Sequence, residues 1–134
     1  MPAGVSQAFL QKQAEIQRKL EAEVAEIKKI EQEFTKVYKA KQSLVEKKSE
    51  NEMVAQEFKL MSDDAAVYKL VGPVLAKQDV VEARGNVDKR VEYIAKEIDR
   101  MDKLEADFQG KVEQGRQNIV KLQEDMRREF MKEQ

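Results

Sequence analysis

Apolar residues recur at alternating spacings of three and four along two long stretches of the chain, and this repeat constrains the fold more than any other feature. In the first stretch, the repeat runs from position 9 to position 58, and ten of its fifteen residues are apolar. In the second, it runs from position 87 to position 126, and ten of twelve are apolar. A repeat sustained over so many heptads predicts helices that pair as a left-handed coiled coil. It also argues against disorder, the competing interpretation of a chain with 38% charged residues.

Polar residues and glycines interrupt the two repeats. Three of the five polar residues in the first repeat fall close together, at Lys41, Lys48 and Asn51. Such residues weaken a coiled-coil interface or set its register. Gly110 lies near the second repeat and Gly115 lies within it, and each is expected to destabilise the helix by about 1 kcal/mol relative to alanine.

The segment between the repeats has a different composition. VYKLVGPVLAKQ, residues 67–78, contains no acidic residue and is rich in strand-forming side chains. Gly72-Pro73 supplies a turn and breaks any continuous helix, which disfavours the alternative of a parallel dimer of rods. Two arms of equal length with a short connector instead fold back on each other. We therefore predict a mainly α fold, in which one short β-hairpin joins the helices of a long antiparallel two-helix coiled coil.

The predicted organisation is a single domain over residues 1–134. Its N-terminal helix covers about 6–61, its hairpin 66–78 and its C-terminal helix 79–132. Asp79 is expected to cap the second helix, with Glu82 three residues later in a variant of the capping box. The residues that follow the first helix, Ser62-Asp63-Asp64, are typical turn formers.

The hairpin is expected to be the assembly element. An isolated two-stranded hairpin is marginally stable in water, and its outer edges leave backbone groups unpaired. It should therefore add its strands to those of other chains and close a sheet or barrel, which makes the chain an obligate subunit. Lys69 and Lys77 are expected to alternate towards the solvated side. The alternative is a hairpin that folds over the coiled-coil end and caps it. The predicted assembly residues are Val67, Tyr68, Leu70, Val71, Val74 and Leu75.

The residue types that most enzymes need are missing. The chain has no histidine and no cysteine, which removes the usual general base, nucleophilic thiol and zinc ligands. Its five glycines are scattered, so no phosphate-binding loop is visible. The Asp63-Asp64 pair is interpreted as a solvated turn rather than a cation site. We expect no enzyme activity, no catalytic or metal-binding residue and no cofactor.

Charge and hydropathy limit the partners. The 25 basic and 26 acidic side chains are interleaved, which gives no basic patch for nucleic acid and favours a solvated helix surface with i,i+4 ion pairs. No apolar run approaches the roughly 18 residues of a membrane span. The N-terminal sequence lacks the basic and then apolar pattern of a signal peptide. A soluble, cytoplasmic protein is therefore expected, with neither nucleic acid nor membrane as a partner.

The order helix, hairpin, helix resembles the β class of the prefoldin family. The specific match covers residues 66–100, about a quarter of the chain, and includes VYKLVGPVL in the hairpin, KQ before the second helix, EAR at its start, and KR followed by YI and EI. The flanking arms agree only in heptad character. An α-class subunit would carry two hairpins in its connector, whereas this connector has room for one.

The resemblance implies an ATP-independent co-chaperone. Prefoldin is a hetero-hexamer of two α-class and four β-class subunits, so the implied partners are two α-class and three further β-class chains. In this family the hairpins form a double β-barrel platform that carries six coiled coils. Their distal tips hold unfolded clients, such as actin and tubulin, and deliver them to the cytosolic type II chaperonin.

The family's client-binding tips correspond here to the two chain ends, which lie together in an antiparallel hairpin. Leu10, Phe130 and Met131 fall outside the repeat, so the partner helix need not cover them. Exposed Met and Phe side chains suit promiscuous apolar binding. The predicted client-binding residues are Val5, Phe9, Leu10, Met126, Phe130 and Met131.

Other interpretations remain open at this point. Apolar residues outside the repeat also occur in mid-arm, at Val24, Val45, Val54 and Leu104, where such residues are often ordinary helix surface. A coiled-coil tether or adaptor is the rival function, although a tether has no need of a strand-rich connector. A subunit of a prefoldin-like assembly without general chaperone activity is a further alternative.

Overall fold

The computed structural model describes residues 6–133, which form two helices and one hairpin. Helix α1 spans Gln7–Leu60, strand β1 Val67–Val71, strand β2 Val74–Gln78 and helix α2 Val80–Glu133. The two helices have the same length, 54 residues each. The predicted fold class, with long helices joined by one antiparallel hairpin, is confirmed.

Side chains cap the N-termini of both helices. The hydroxyl of Ser6 accepts a hydrogen bond of 3.0 Å from the backbone N–H of Phe9. The carboxylate of Asp79 accepts one of 2.9 Å from the N–H of Val81, which confirms Asp79 as the cap of α2. Each cap satisfies one of the backbone donors that the first turn of a helix leaves without a partner.

Burial along α1 follows the predicted repeat at every position. All fifteen residues of the first repeat are buried or half-buried, and every other residue of α1 is exposed. All twelve residues of the second repeat are likewise buried or half-buried in α2. The buried side of α2 begins earlier than predicted, because Val80 and Ala83 are also buried. Val80 and Ala83 extend the apolar stripe towards the start of the helix, with two successive steps of four, from Ala83 to Val87 and from Val87 to Val91.

The chain divides into two compact units, and each helix contributes to both. The terminal unit comprises Met1–Lys36 and Leu104–Gln134, and the hairpin unit comprises Val37–Lys103.

Contacts within the terminal unit pair the helices antiparallel. The side-chain amide of Gln13 donates a hydrogen bond of 3.3 Å to the carbonyl of Met126. Further along α1, the carboxylate of Glu23 accepts one of 3.3 Å from Asn118. Later residues of α1 therefore pair with earlier residues of α2, as in an antiparallel pair of helices. The two polar residues that α1 contributes to the helix–helix interface here, which we call the seam, are Gln13 and Glu23, and both are hydrogen-bonded across it.

Gly115 has a packing role that the sequence analysis missed. The glycine is buried, and a Cβ built on it would lie 3.0 Å from both Cγ1 and Cδ1 of Ile27. The absence of a side chain in α2 thus lets an isoleucine of α1 fill the seam. Helix α2 continues through this position and through Gly110 without a break.

The core of the hairpin unit lies where the helices meet the hairpin. Phe58 of α1 packs with Val80, Ala83 and Val87 of α2, and Val67 of β1 packs against this cluster. We call these five residues the root cluster. The hairpin therefore begins from a well-packed base.

Further along the same unit, Lys41 in the seam forms an ion pair of 2.5 Å with Asp102.

Candidate assembly surface

The register of the hairpin follows from its two-residue turn. Val71 pairs with Val74, and the pairing continues to Val67 opposite Gln78. Gly72 has a φ of 58°, in the left-handed region that glycine adopts without strain. Pro73 holds its φ near −65°, so the turn cannot be of type I′, which needs a positive φ at both central residues. Glycine first and proline second is instead the pattern of a type II′ turn.

Both faces of the hairpin carry apolar side chains. Residues alternate between the faces along a strand, and directly paired residues share a face. One face, which we call the inner face because Val67 packs there against the helices, contains Val67, Lys69, Val71, Val74, Ala76 and Gln78. The other, the outer face, contains Tyr68, Leu70, Leu75 and Lys77.

This register corrects the prediction for the two lysines. Lys69 pairs with Ala76 and lies on the inner face, whereas Lys77 pairs with Tyr68 and lies on the outer face. They do not mark one solvated side of the hairpin. Each face instead carries a single lysine among apolar residues.

Five of the six predicted assembly residues are exposed in the single chain. Leu70 and Leu75, which pair across the outer face, are 68% and 63% exposed. Tyr68, Val71 and Val74 are exposed as well. Val67 is the exception, since the root cluster half-buries it. A hairpin that capped the coiled coil would cover its leucines, so this geometry contradicts the capping alternative.

Arg84 joins the end of α1 to the first turns of α2. Its Nε donates a hydrogen bond of 2.9 Å to the carbonyl of Phe58, and its guanidinium also donates to the carbonyl of Met61. A third hydrogen bond, of 2.6 Å, goes to the carboxylate of Asp63. Because the last carbonyls of a helix lack partners within it, one arginine here caps α1 and fixes the start of the connector.

Arg84 belongs to the EAR motif, and no role was predicted for it from the sequence. No local pattern identifies its contacts, since they reach more than twenty residues back along the chain. The one available signal was an arginine close to the start of a helix, where a positive charge opposes the helix dipole. Such a placement suggests a specific partner.

The predicted client-binding residues divide into two groups within the terminal unit. Leu10, Phe130 and Met131 are exposed, as their positions outside the repeat predicted. Phe9 and Met126 are half-buried in the seam. Val5 lies outside the described residues. The Glu133 carboxylate accepts hydrogen bonds from the N–H and hydroxyl of Ser6, so the described ends of the chain lie together as predicted.

The mid-arm residues outside the repeat show that such exposure is not special to the ends. Val24, Val45 and Val54 are each 42% exposed, whereas Leu104 is half-buried.

Most ion pairs of the described residues join side chains three or four positions apart on one helix. Lys19 lies 3.2 Å from Glu15 one turn away, and its hydrogen bond and charge lower the pKa of Glu15 below its usual 4.5. A hydrogen bond to Glu97 similarly raises the pKa of Arg100. Glu15, Lys19 and Arg100 are exposed and Glu97 is half-buried, and surface pairs of this kind contribute little to stability. The predicted helix-surface pairing is confirmed.

Two properties of the described chain bear on the choice of function. Nowhere in residues 6–133 do three acidic side chains gather closely enough to hold a metal ion. Neither described helix is long and apolar enough to cross a membrane. The described chain is thus a pair of long helices that carries an exposed apolar hairpin.

Comparison with known proteins identifies the family. A family model described as "Prefoldin subunit" matches residues 21–126. Prefoldin subunit 6 of Arabidopsis thaliana is 41% identical over 110 residues, which cover 82% of this chain and 85% of that protein. Prefoldin subunit 6 of Homo sapiens is 36% identical over 113 residues, which cover 84% and 88%. The prefoldin β subunit of Thermococcus strain KS-1 shares the fold, with a TM-score of 0.70 at 20% identity over 81% of this chain and 92% of that one.

The chain therefore belongs to the prefoldin subunit family, and the resemblance to its β class is confirmed. The family consists of co-chaperone subunits and not of enzymes. Membership implies assembly with other prefoldin subunits.

Proposed function

We propose that this chain is one of four β-class subunits in a hexameric, ATP-independent prefoldin. Its hairpin joins those of two α-class and three further β-class chains in a double β-barrel platform. The assembled complex binds unfolded polypeptides of the actin and tubulin type and delivers them to the cytosolic type II chaperonin. The site of action under this proposal is the cytoplasm.

The exposed hairpin is the observation that carries the proposal. Its two strands have free outer edges, and large apolar side chains stand on both faces. Strand edges of this kind pair readily with other strands, and burying the leucines would remove apolar surface from water at about 25 cal/mol per Å². The root cluster and Arg84 hold the base of the hairpin in place, so little further ordering is needed on assembly.

Assembly is tested first by native mass spectrometry of the tagged chain, recovered gently from extract of its own cells. A complex of six different small subunits with one copy of this chain supports the proposal. A homodimer, or a single large unrelated partner, contradicts it and favours a tether.

The role of the hairpin is tested by replacing Leu70 and Leu75 together with aspartate. Both leucines are exposed in the single chain, so the variant should keep its helices and fail to enter the complex. Circular dichroism checks the helices and mass spectrometry the incorporation. The matched control is the double substitution of Val24 and Val45 with serine, which removes exposed apolar groups from α1 and leaves the strands intact. Normal incorporation of the leucine variant contradicts this role.

Client binding is proposed for the exposed apolar residues at the chain ends. Leu10, Phe130 and Met131 are 49%, 51% and 64% exposed, and replacing all three with serine should weaken suppression of client aggregation by the whole complex. The control replaces Val24 and Val120, which are also exposed and belong to the same terminal unit. Aggregation of chemically unfolded actin, followed by light scattering, gives the measurement. Equal activity of both variants contradicts the assignment.

A further inference from the structure

A cleft at the base of the hairpin has features of a docking site for one side chain. The cleft, which we call the root cleft, has a volume of about 180 Å³ and is bounded by α1, α2 and both strands. This volume is below the roughly 300–1,000 Å³ of a typical ligand pocket and suits one large side chain.

The floor of the root cleft is apolar and already packed. Phe58, Val67, Ala83 and Val87 line it, and all four belong to the root cluster. Three of them are less than a tenth exposed, so the floor has its shape before any partner arrives. An apolar side chain placed here would meet a preformed surface, which limits the entropy cost of docking.

The rim of the root cleft is cationic. Lys69 from the inner face and Arg90 from α2 are its only charged lining residues. Within residues 6–133, neither of them forms a salt bridge with a carboxylate. Arg90 makes one long hydrogen bond of 3.4 Å to the side-chain amide of Asn51, which leaves most of its five donors available. Two cations without an acidic partner favour an occupant that carries negative charge.

We propose that the root cleft receives an apolar side chain flanked by a carboxylate from an adjacent prefoldin subunit. The inference rests on the proposed function, because it takes the neighbour to be brought there by pairing of the hairpins. The cleft is continuous with the inner face, so a chain that pairs with the strands passes its opening. The apolar floor supplies affinity, and the two cations select the neighbour whose acidic residue falls in register.

Photo-crosslinking tests the occupant. Asn86 lines the cleft and is exposed, so a photoreactive phenylalanine analogue there samples the occupant without disturbing the floor. The complex is assembled from this chain and the other prefoldin subunits of its own source, irradiated and digested. The expected adduct joins residue 86 to another prefoldin subunit, at an apolar residue next to Asp or Glu. Adducts only with clients, or no adduct with any subunit, overturn the proposal.

Two matched pairs of variants measure the contributions of charge and space. Lys69→Glu should weaken incorporation into the complex by roughly three- to tenfold more than Lys77→Glu, which makes the same charge change on the other face. Val54→Trp should block the cleft and weaken incorporation by about tenfold or more. Val45→Trp is its control, since both valines are 42% exposed on α1 and only Val54 lines the cleft. Equal effects within both pairs overturn the proposal.

The leucine variant separates this proposal from the function on which it rests. If the double substitution of Leu70 and Leu75 with aspartate leaves incorporation unchanged, assembly through the hairpin is wrong and the cleft has no partner to receive. If that variant fails to assemble while the matched pairs show equal effects, hairpin assembly stands and the root cleft alone is refuted.

Discussion

Replacing Gly115 with alanine tests whether the energetic cost of a short contact between the two helices exceeds the stability that alanine adds through its higher helix propensity. Gly115 is buried in α2, and a Cβ there would lie 3.0 Å from two side-chain carbons of Ile27. Gly110 is the matched control, because it lies in the same helix and a Cβ built there meets no atom within 4 Å. Both substitutions gain the same helix propensity, and only one adds a short contact.

The structure gives the expected magnitudes. Alanine is favoured over glycine in a helix by about 1 kcal/mol, so Gly110→Ala should stabilise the chain by up to that amount. Carbon atoms pack best at about 3.5–4.0 Å, so the new contact at Gly115 is too short by at least about 0.5 Å. Ile27 cannot rotate its Cγ1 away, because a β-branched residue has one strongly preferred χ1 rotamer in a helix. Overpacking typically costs about 1–3 kcal/mol, which leaves Gly115→Ala between neutral and about 2 kcal/mol less stable.

Urea denaturation followed by circular dichroism at a fixed protein concentration provides the assay. The decisive background is Ile27→Ala, which removes both carbons that the new Cβ would meet. In that background Gly115→Ala should recover the propensity gain, with a coupling free energy of about 1–3 kcal/mol in the double-mutant cycle. Equal stabilisation by Gly115→Ala and Gly110→Ala, with no coupling to Ile27, would refute the packing role.

Three further substitutions probe the connector and the seam. Arg84→Gln should lower the free energy of unfolding by about 1–3 kcal/mol. Asp63→Asn should lower it by less than about 1 kcal/mol, because this substitution leaves the hydrogen bonds from Arg84 to the backbone carbonyls intact. Equal losses of stability in urea denaturation would contradict this. Lys41→Leu should raise the Tm by about 4 °C, because it places an apolar residue in the seam and removes only an ion pair to the half-exposed Asp102. A lowered Tm in calorimetry would show that the ion pair stabilises the chain more than the apolar side chain does. Gly72→Ala forces a positive φ on alanine at a cost of about 1–2 kcal/mol, so hydrogen exchange should quicken in the hairpin while the helices keep their protection.

Periodicity was sufficient to predict which residues of α1 are covered. In a pair of helices, burial depends on position around the helix axis, and a spacing of three and four keeps the same side towards the partner. Polar residues at these positions did not hide the pattern, and even Lys48 and Asn51 are half-buried. Val80 and Ala83 were missed because strict alternation back from Val87 would place the next residue at position 84, whereas the two steps from Ala83 to Val91 are both four.

Features that depend on pairing in three dimensions were harder to predict. The sidedness of Lys69 and Lys77 was within reach, since a two-residue turn at Gly72-Pro73 fixes the register and hence the face of every strand residue. The contacts of Arg84 and the fit of Ile27 against Gly115 were not. Each depends on which residues of the two helices lie opposite each other. The repeat alone does not fix this register, because shifting one helix by seven residues preserves the apolar pattern.

Under the proposed function, the hairpin has to expose apolar strands before assembly without pairing with arbitrary strands. Both of its strands are edges in the single chain, and an exposed apolar edge is a site of aggregation. The strands are only five residues long, and each face holds one lysine, which makes pairing with an arbitrary apolar strand costly. Had Lys69 and Lys77 shared a face, the other face would have carried no charge. Their placement on opposite faces therefore protects both, and on the inner face Lys69 also stands at the rim of the root cleft, where a partner with a carboxylate would be favoured.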